Sequence, residues 1–195
     1  MIPEVRHLGG SGRNMRYQMK QLPKDQVEAA WGMAEKYRDL NQPDEAESIC
    51  HDILEVVPNH QGALRTLGLS LTDRFPRGWT DLHKQALSVF SRLESQYERV
   101  YYAGVAWERR GRAQLEEVTG RGAYDAFTEA LELFQRASEL APDRAEPVLR
   151  YNRCARALST HPVLLAAAER DSAEAFDPGD GPHSVYPPAR GSGAP

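Results

Sequence analysis

The stretch ILEVVPNHQGALRTLG, residues 53–68, has the pattern of one helix that ends and a second that begins. Its first part is apolar at helical spacing, Pro58 interrupts it, and a new apolar stripe starts at about Gln61. A similar run, ASELAPDRAEPVLRYN, returns at residues 137–152. A helix joint that occurs twice indicates a repeat, and a repeat of this size decides the fold.

One apolar stripe, which we call the B stripe, occurs three times. Its residues follow the spacing i, i+3, i+4 and i+7 that lines one face of a helix, and each copy begins with alanine. The copies are Ala46, Ile49, Cys50 and Ile53; Ala86, Val89, Phe90 and Leu93; and Ala130, Leu133, Phe134 and Ala137. Each copy predicts a helix with one buried face.

A second stripe, the A stripe, precedes each B stripe and has the same spacing. Its third residue is small in the first three copies, which allows a neighbouring helix to approach closely. The copies are Ala30, Met33, Ala34 and Tyr37; Leu64, Leu67, Gly68 and Leu71; Val100, Ala103, Gly104 and Trp107; and Val148, Tyr151, Asn152 and Ala155. Alternating stripes predict antiparallel helix pairs that stack into one continuous core.

These residues resemble the tetratricopeptide repeat family, whose unit of about 34 residues has small, aromatic, alanine and proline positions in fixed order. The likeness covers residues 27–158 and is clearest in the first repeat, where Ala34, Tyr37, Ala46 and Pro58 match those positions. It implies an all-α, short alpha-alpha solenoid of about three irregular repeats and a capping helix. It also implies a protein-binding inner surface.

The second and third repeats are longer than the first. The first passes between its helices through DLNQPDEAES, where Pro43 is predicted at a helix start. The others insert TDRFPRGWTDLHK and ERRGRAQLEEVTGRGAYDAFTE. We predict a loop at residues 75–78, and an extended helix through RAQLEEV followed by a turn at residues 119–122.

The chain divides into four predicted segments. Residues 1–22 are polar and contain Gly-Gly-Ser-Gly, so we expect a flexible segment. Residues 23–160 form the repeat domain, and residues 161–176 have the pattern of an extra helix. Residues 177–195 are rich in Pro and Gly with few residues to bury, so we expect disorder.

Composition narrows the class of protein. With 41% hydrophobic and 27% charged residues, the chain has the composition of a globular domain. No run of apolar residues reaches the length of a membrane span. The start lacks the apolar core of a secretory signal, so we expect a cytoplasmic protein. A net charge of −4 gives no basic footprint for nucleic acid.

Recognised catalytic motifs do not occur in the sequence. It has no HExxH, CxxC, GxSxG or phosphate-binding glycine loop, and its six histidines show no ligand spacing. We therefore expect no catalytic activity, no cofactor and no metal. Cys50 and Cys154 fall within predicted helices, where burial in a reducing compartment is favoured over a disulfide.

Nine residues are candidates for partner binding. The A-helix spacing projects them onto the inner surface of the predicted stack, and they combine the aromatic and arginine side chains enriched in interface hot spots. They are Trp31, Glu35, Arg38, Arg65, Leu69, Tyr101, Glu108, Arg153 and Arg156. Within this set, Arg65, Arg153 and Arg156 are suited to pair with an acidic peptide.

Two functions fit these expectations. The first is a non-catalytic adaptor or assembly scaffold that binds a protein or peptide, as part of a larger complex. The alternative is an accessory subunit or maturation factor of a multi-subunit metalloenzyme, in which histidines or Cys154 touch the metal or an active-site partner. An independent enzyme ranks third, because it needs carboxylates and histidines that converge in space.

Overall fold

The computed structural model describes residues 18–77, 79–115 and 120–175, and all regular structure in these ranges is helical. Helices that follow one another pack in pairs, as in a short alpha-alpha solenoid, so the predicted all-α fold class is confirmed. The eight α-helices of the described ranges are α1 (Val27–Asp39), α2 (Pro43–Val56), α3 (Gln61–Asp73), α4 (Trp79–Ser91), α5 (Gln96–Gln114), α6 (Arg121–Leu140), α7 (Glu146–Thr160) and α8 (Pro162–Ala175).

The helices fall into two compact units, Met1–Ser95 with α1 to α4 and Gln96–Pro195 with α5 to α8. Each unit has its own buried core. The extra helix predicted at residues 161–176 corresponds to α8. Tails were predicted at residues 1–22 and 177–195, of which residues 1–17 and 177–195 lie outside the described residues.

In the first unit, the joint between α2 and α3 has the predicted form. Pro58 lies in the turn after α2, and α3 begins at Gln61. His60 caps α3, because its Nδ1 accepts a hydrogen bond from the backbone N–H of Ala63 at 3.0 Å. Its Nε2 therefore carries the proton and donates to Glu28 Oε1, also at 3.0 Å.

The close approach predicted for the A and B stripes occurs in both units. A Cβ added to Gly68 of α3 would lie 2.2 Å from Cε1 of Phe90 on α4. A Cβ added to Gly104 of α5 would lie 2.8 Å from Cε1 of Phe134 on α6. Each phenylalanine ring thus fills the space that the missing side chain leaves open.

The first helix pair has a different combination at these two stripe positions. Ala34 of α1 stands where the later pairs have glycine, and Cys50 of α2 stands where they have phenylalanine. Both residues are fully buried. A larger residue on one helix is therefore matched by a smaller one on its mate.

The B stripes are buried as predicted. In all three copies the second residue is half-buried and the other three are in the core. The half-buried residues are Ile49, Val89 and Leu133. The predicted helix faces of α2, α4 and α6 are therefore confirmed.

The A stripe predicted for α7 is out of register by one residue, because the inward-facing set is Pro147, Arg150, Tyr151 and Cys154. Val148 and Asn152 are exposed, whereas Pro147 and Cys154 are the buried residues of this helix. Cys154, rather than Ala155, is thus the buried residue at the last position of the stripe. The stripe is hard to see in the sequence because Arg150 lies on the inward side and interrupts its apolar pattern.

The third repeat is longer because its two helices are longer. The α5 and α6 helices have 19 and 20 residues, whereas α1 to α4 have 13 or 14. Gly120 precedes α6 with a φ of 62°, which favours glycine. The predicted turn at residues 119–122 is wrong in its second half, because Arg121 and Gly122 belong to α6. Thr119 lies outside the described residues.

The insertion of the second repeat contains a short 3-10 turn, Phe75–Arg77, where a loop was predicted. Phe75 is almost fully buried and its ring contacts the ring of His83 edge-on, with a centroid distance of 5.9 Å. The insertion is therefore anchored to α4 by an aromatic contact. Gly78 lies outside the described residues.

Candidate partner-binding surface

Trp31, the aromatic candidate of the first unit, is packed against α3. Its indole Nε1 donates to Thr66 Oγ1 at 3.2 Å, and its ring centroid lies 5.7 Å from that of His60. A Cβ added to Gly62 would lie 2.5 Å from the indole. The half-buried Trp31 side chain therefore holds α1 against α3, and only part of it faces solvent.

The other candidates of the first unit continue along the same pair of helices. Arg38 Nε donates to Asp73 Oδ2 at 2.7 Å, which is a second link between α1 and α3. Glu35 is exposed, and Arg65 and Leu69 are half-buried with contacts of their own. Most candidates on this face are thus engaged in contacts within the unit.

In the second unit, the candidates Tyr101 and Glu108 of α5 meet α7. Glu108 is fully buried, and its Oε2 accepts a 2.6 Å hydrogen bond from Nη1 of Arg150. The Nε of the same arginine donates to the Tyr101 hydroxyl at 2.9 Å. A second arginine, Arg153, places its Nε 3.5 Å from the other carboxylate oxygen of Glu108. One buried carboxylate thus holds two arginines.

Electrostatics favour the charged form of Arg150, whose side chain is half-buried. Burial lowers the pKa of the Arg150 guanidinium, but Glu108 and Tyr101 outweigh that effect, so the pKa is raised above its ordinary value. Arg150 therefore stays cationic near neutral pH and pairs α7 with Glu108 of α5.

Sequence reasoning missed Arg150. The signal that could have found it is the spacing of Pro147, Arg150 and Cys154, which places the three on one side of a helix. An arginine on a buried stripe requires a carboxylate partner. Glu108 is the partner that the structure shows, and it lies on α5, the A helix of the preceding repeat.

An aromatic stack extends this surface toward the start of α5. Tyr97 and Tyr101 are nearly parallel, with ring centroids 5.6 Å apart, and the guanidinium of Arg144 lies 4.6 Å from the Tyr97 centroid. Burial raises the pKa of the Tyr97 hydroxyl, and the hydrogen bond from Arg144 opposes that effect. The two stacked rings therefore lie between the guanidinium groups of Arg144 and Arg150, the latter 5.8 Å from the Tyr101 centroid.

Next to this cluster, the exposed side of α7 presents apolar and cationic side chains together. Leu149 is 63% exposed and the side chain of Arg153 is 57% exposed. Arg156 is exposed as well. Because the three are separated by four and three residues, they form one row along the helix, which we call the α7 row. Two of its members, Arg153 and Arg156, are predicted site residues.

A separate apolar surface lies on α1. Met33, Lys36, Tyr37 and Leu40 line a shallow cavity of about 290 Å³, and Met33 and Leu40 are well exposed. This surface does not include any of the nine predicted residues.

The two thiols are buried, as predicted. Burial raises the pKa of both Cys50 and Cys154 to about 12, and acidic neighbours, Glu35 and Glu47 for Cys50 and Glu108 for Cys154, add to the shift.

Within the described residues, no three histidine, cysteine, aspartate or glutamate side chains are grouped to hold a metal ion. Trp107, the last residue of the third A stripe, is half-buried, and the guanidinium of Arg110 lies 4.7 Å from its ring centroid.

No protein-family model matches the chain, and no curated protein is significantly similar to it. In the part of the chain that the structure describes, none of the helices combines the length and the apolar character needed to cross a membrane.

Proposed function

We propose that this chain is a tetratricopeptide-like interaction module that acts as an adaptor or assembly scaffold and has no catalytic activity. The proposal is supported by the paired helices and by the A and B stripes, which recur with matched small and large residues at their closest approach. Proteins built from such pairs use one face of the helices to bind other proteins.

The α7 row carries the proposal. The row combines an exposed leucine with two exposed arginines, and protein interfaces are enriched in arginine around an apolar centre. The cluster of Glu108, Arg150 and Tyr101 beneath the row fixes its backbone. A fixed surface loses little entropy when a partner binds.

The first unit has a smaller role in this proposal. Trp31 and Arg38 already contact α3, so a partner would meet only their outer parts. Glu35, which is exposed, is the residue of that face most accessible to a partner. We propose a cytoplasmic location and membership of a larger complex, in keeping with the composition.

Affinity capture from native cell extract, followed by quantitative mass spectrometry, tests the proposal. The Leu149→Ser variant should lose the protein that the wild-type chain captures. Leu165→Ser on α8 is the matched control, because Leu165 is also an exposed leucine, at 41%, but lies outside the α7 row. Equal capture by the wild-type chain and Leu149→Ser contradicts the proposed surface.

A further inference from the structure

The charge of the α7 row is set by the buried carboxylate beneath it. Glu108 is shared between Arg150 and Arg153, so one negative charge faces two positive charges. Arg156, one turn further along, adds a third positive charge and is exposed. The cluster and the row together therefore have an excess of two positive charges, in a chain whose net charge is −4.

The contact between Arg153 and Glu108 leaves hydrogen-bonding capacity on the arginine. Its Nε lies 3.5 Å from Oε1 of Glu108, which is an ion pair rather than a short hydrogen bond. The side chain is more than half exposed. A guanidinium has five N–H donors, so Arg153 can contact Glu108 and still pair with a carboxylate from outside the chain.

The acidic residues near this surface lie at its other end. Asp143 and Glu146 act on the guanidinium of Arg144, beside Tyr97 at the start of the helix pair. In the described residues, no ion pair joins a carboxylate to Arg156. The positive end of the row is therefore available to a carboxylate from outside the chain.

We propose that the α7 row binds an acidic segment of a protein partner, with one apolar side chain on Leu149 and Val148 and two carboxylates on Arg153 and Arg156. The inference rests on the proposed function and specifies its partner class. The three positions of the row lie about 6 Å and about 4.5 Å apart along the helix axis, from a rise of about 1.5 Å per residue. A helical segment with an apolar residue followed by acidic residues at successive turns has the matching spacing.

An apolar anchor distinguishes this surface from a phosphate-binding one. Proteins that bind nucleic acid concentrate positive charge along a face, whereas here a 63% exposed leucine and its neighbour Val148 stand at one end of a short cationic row. A peptide can contact both the apolar end and the cationic end of the row, whereas a phosphate backbone can pair only with the cationic end.

The test has two steps and uses the full chain. Random peptides displayed on phage are first selected on the wild-type protein, and the selected sequences are then synthesised and their binding measured by fluorescence anisotropy. We expect the selected peptides to combine aspartate or glutamate with one large apolar residue. Their affinity should fall as the salt concentration rises, because the arginines are exposed.

Variants assign the contacts. The double substitution Arg153→Gln and Arg156→Gln should weaken binding of the selected peptides by about tenfold or more, because it removes both arginine–carboxylate pairs. The control, Lys84→Gln with Arg136→Gln, changes the net charge equally at exposed residues outside the row and should bind as the wild type does. Circular dichroism verifies that both variants are folded.

The outcomes separate this inference from the proposed function. Selected peptides that lack acidic residues, yet lose binding in Leu149→Ser, overturn the acidic partner and leave the adaptor function standing. Tighter binding of single-stranded DNA than of any selected peptide also overturns the acidic partner. A selection that yields no peptide sensitive to Leu149→Ser contradicts both proposals.

Discussion

Arg150 donates a 2.6 Å hydrogen bond from Nη1 to Oε2 of Glu108, a carboxylate that has no exposure to solvent. The bond joins α7 to α5 across 42 residues of sequence. Burying a carboxylate costs free energy that a single ion pair barely offsets, so its main effect is to specify which residues meet. We infer that the pair fixes the rotation of α7, and with it the direction of the α7 row.

The first prediction concerns this pair. Arg150→Ala should lower the free energy of unfolding by about 2–4 kcal/mol, because it leaves the Glu108 carboxylate with only the distant Arg153 for compensation. Chemical denaturation followed by circular dichroism measures the change. The double variant Glu108→Leu with Arg150→Met should recover much of the loss, since it removes both charges. Wild-type stability in Arg150→Ala would show that the pair is unimportant.

The second prediction concerns the contact between α3 and α4. Gly68→Ala should destabilise the fold by about 1–3 kcal/mol, because the new methyl group overlaps the ring of Phe90. Phe90→Leu should also destabilise it, through the cavity that it creates. The double variant should be more stable than the sum of the two changes predicts, and a double-mutant cycle measures this coupling. Strict additivity would contradict the contact.

The third prediction concerns the cap of α3. His60→Ala should lower stability by about 0.5–2 kcal/mol, because the backbone N–H of Ala63 loses the acceptor that Nδ1 provides. His60→Asn is the control, since its side-chain oxygen can accept the same bond. Thermal denaturation distinguishes the two. If both variants unfold at the same temperature, the ring contact with Trp31 matters more than the cap.

The fourth prediction concerns the buried thiols. Their pKa of about 12 in the folded chain lies above the ordinary value of 9.0, so they stay protonated where unfolded thiols ionise. Their contribution to stability is therefore complete below pH 9 and is lost as the pH rises from about 9 to about 12. Below pH 9, the folded chain should react with a thiol reagent only as fast as it opens.

A variant isolates the effect of the thiols from other groups that titrate at high pH. In Cys50→Ala with Cys154→Ala, the free energy of unfolding should fall less steeply above pH 9 than it does in the wild type. Parallel curves for the two proteins would indicate that the thiols are accessible. Rapid modification of the native protein at pH 8 would indicate the same.

Helices could be predicted well where the apolar pattern is uninterrupted. The B stripes beginning at Ala46, Ala86 and Ala130 contain only apolar residues, and all three helices bury the predicted face. The start of α3 at Gln61 also followed from Pro58. In these segments the periodicity, the breaking residue and the buried face all depend on neighbours close in sequence.

The candidate site was less predictable because its contacts depend on residues far apart. Arg150 interrupts the apolar pattern of α7, and only Glu108, 42 residues earlier, explains why it lies inward. Trp31 was expected to face a partner, but Gly62 and Thr66 of α3 provide a place for its indole. The spacing of Pro147, Arg150 and Cys154 is a local signal for the first relationship, but the partner of Trp31 lies 35 residues away and leaves none.

Ala34 of α1 occupies the stripe position that Gly68 has in α3, and Cys50 of α2 occupies the position that Phe90 has in α4. This difference in side-chain size affects which helices can pair while the chain folds. Helices of similar pattern can associate with the wrong mate. If α1 met α4, the methyl group of Ala34 would face the Phe90 ring, and if α3 met α2, Gly68 would leave a gap against Cys50. The match between a larger residue on one helix and a smaller one on its mate thus makes α1 and α2 selective for each other during folding, before any partner is present.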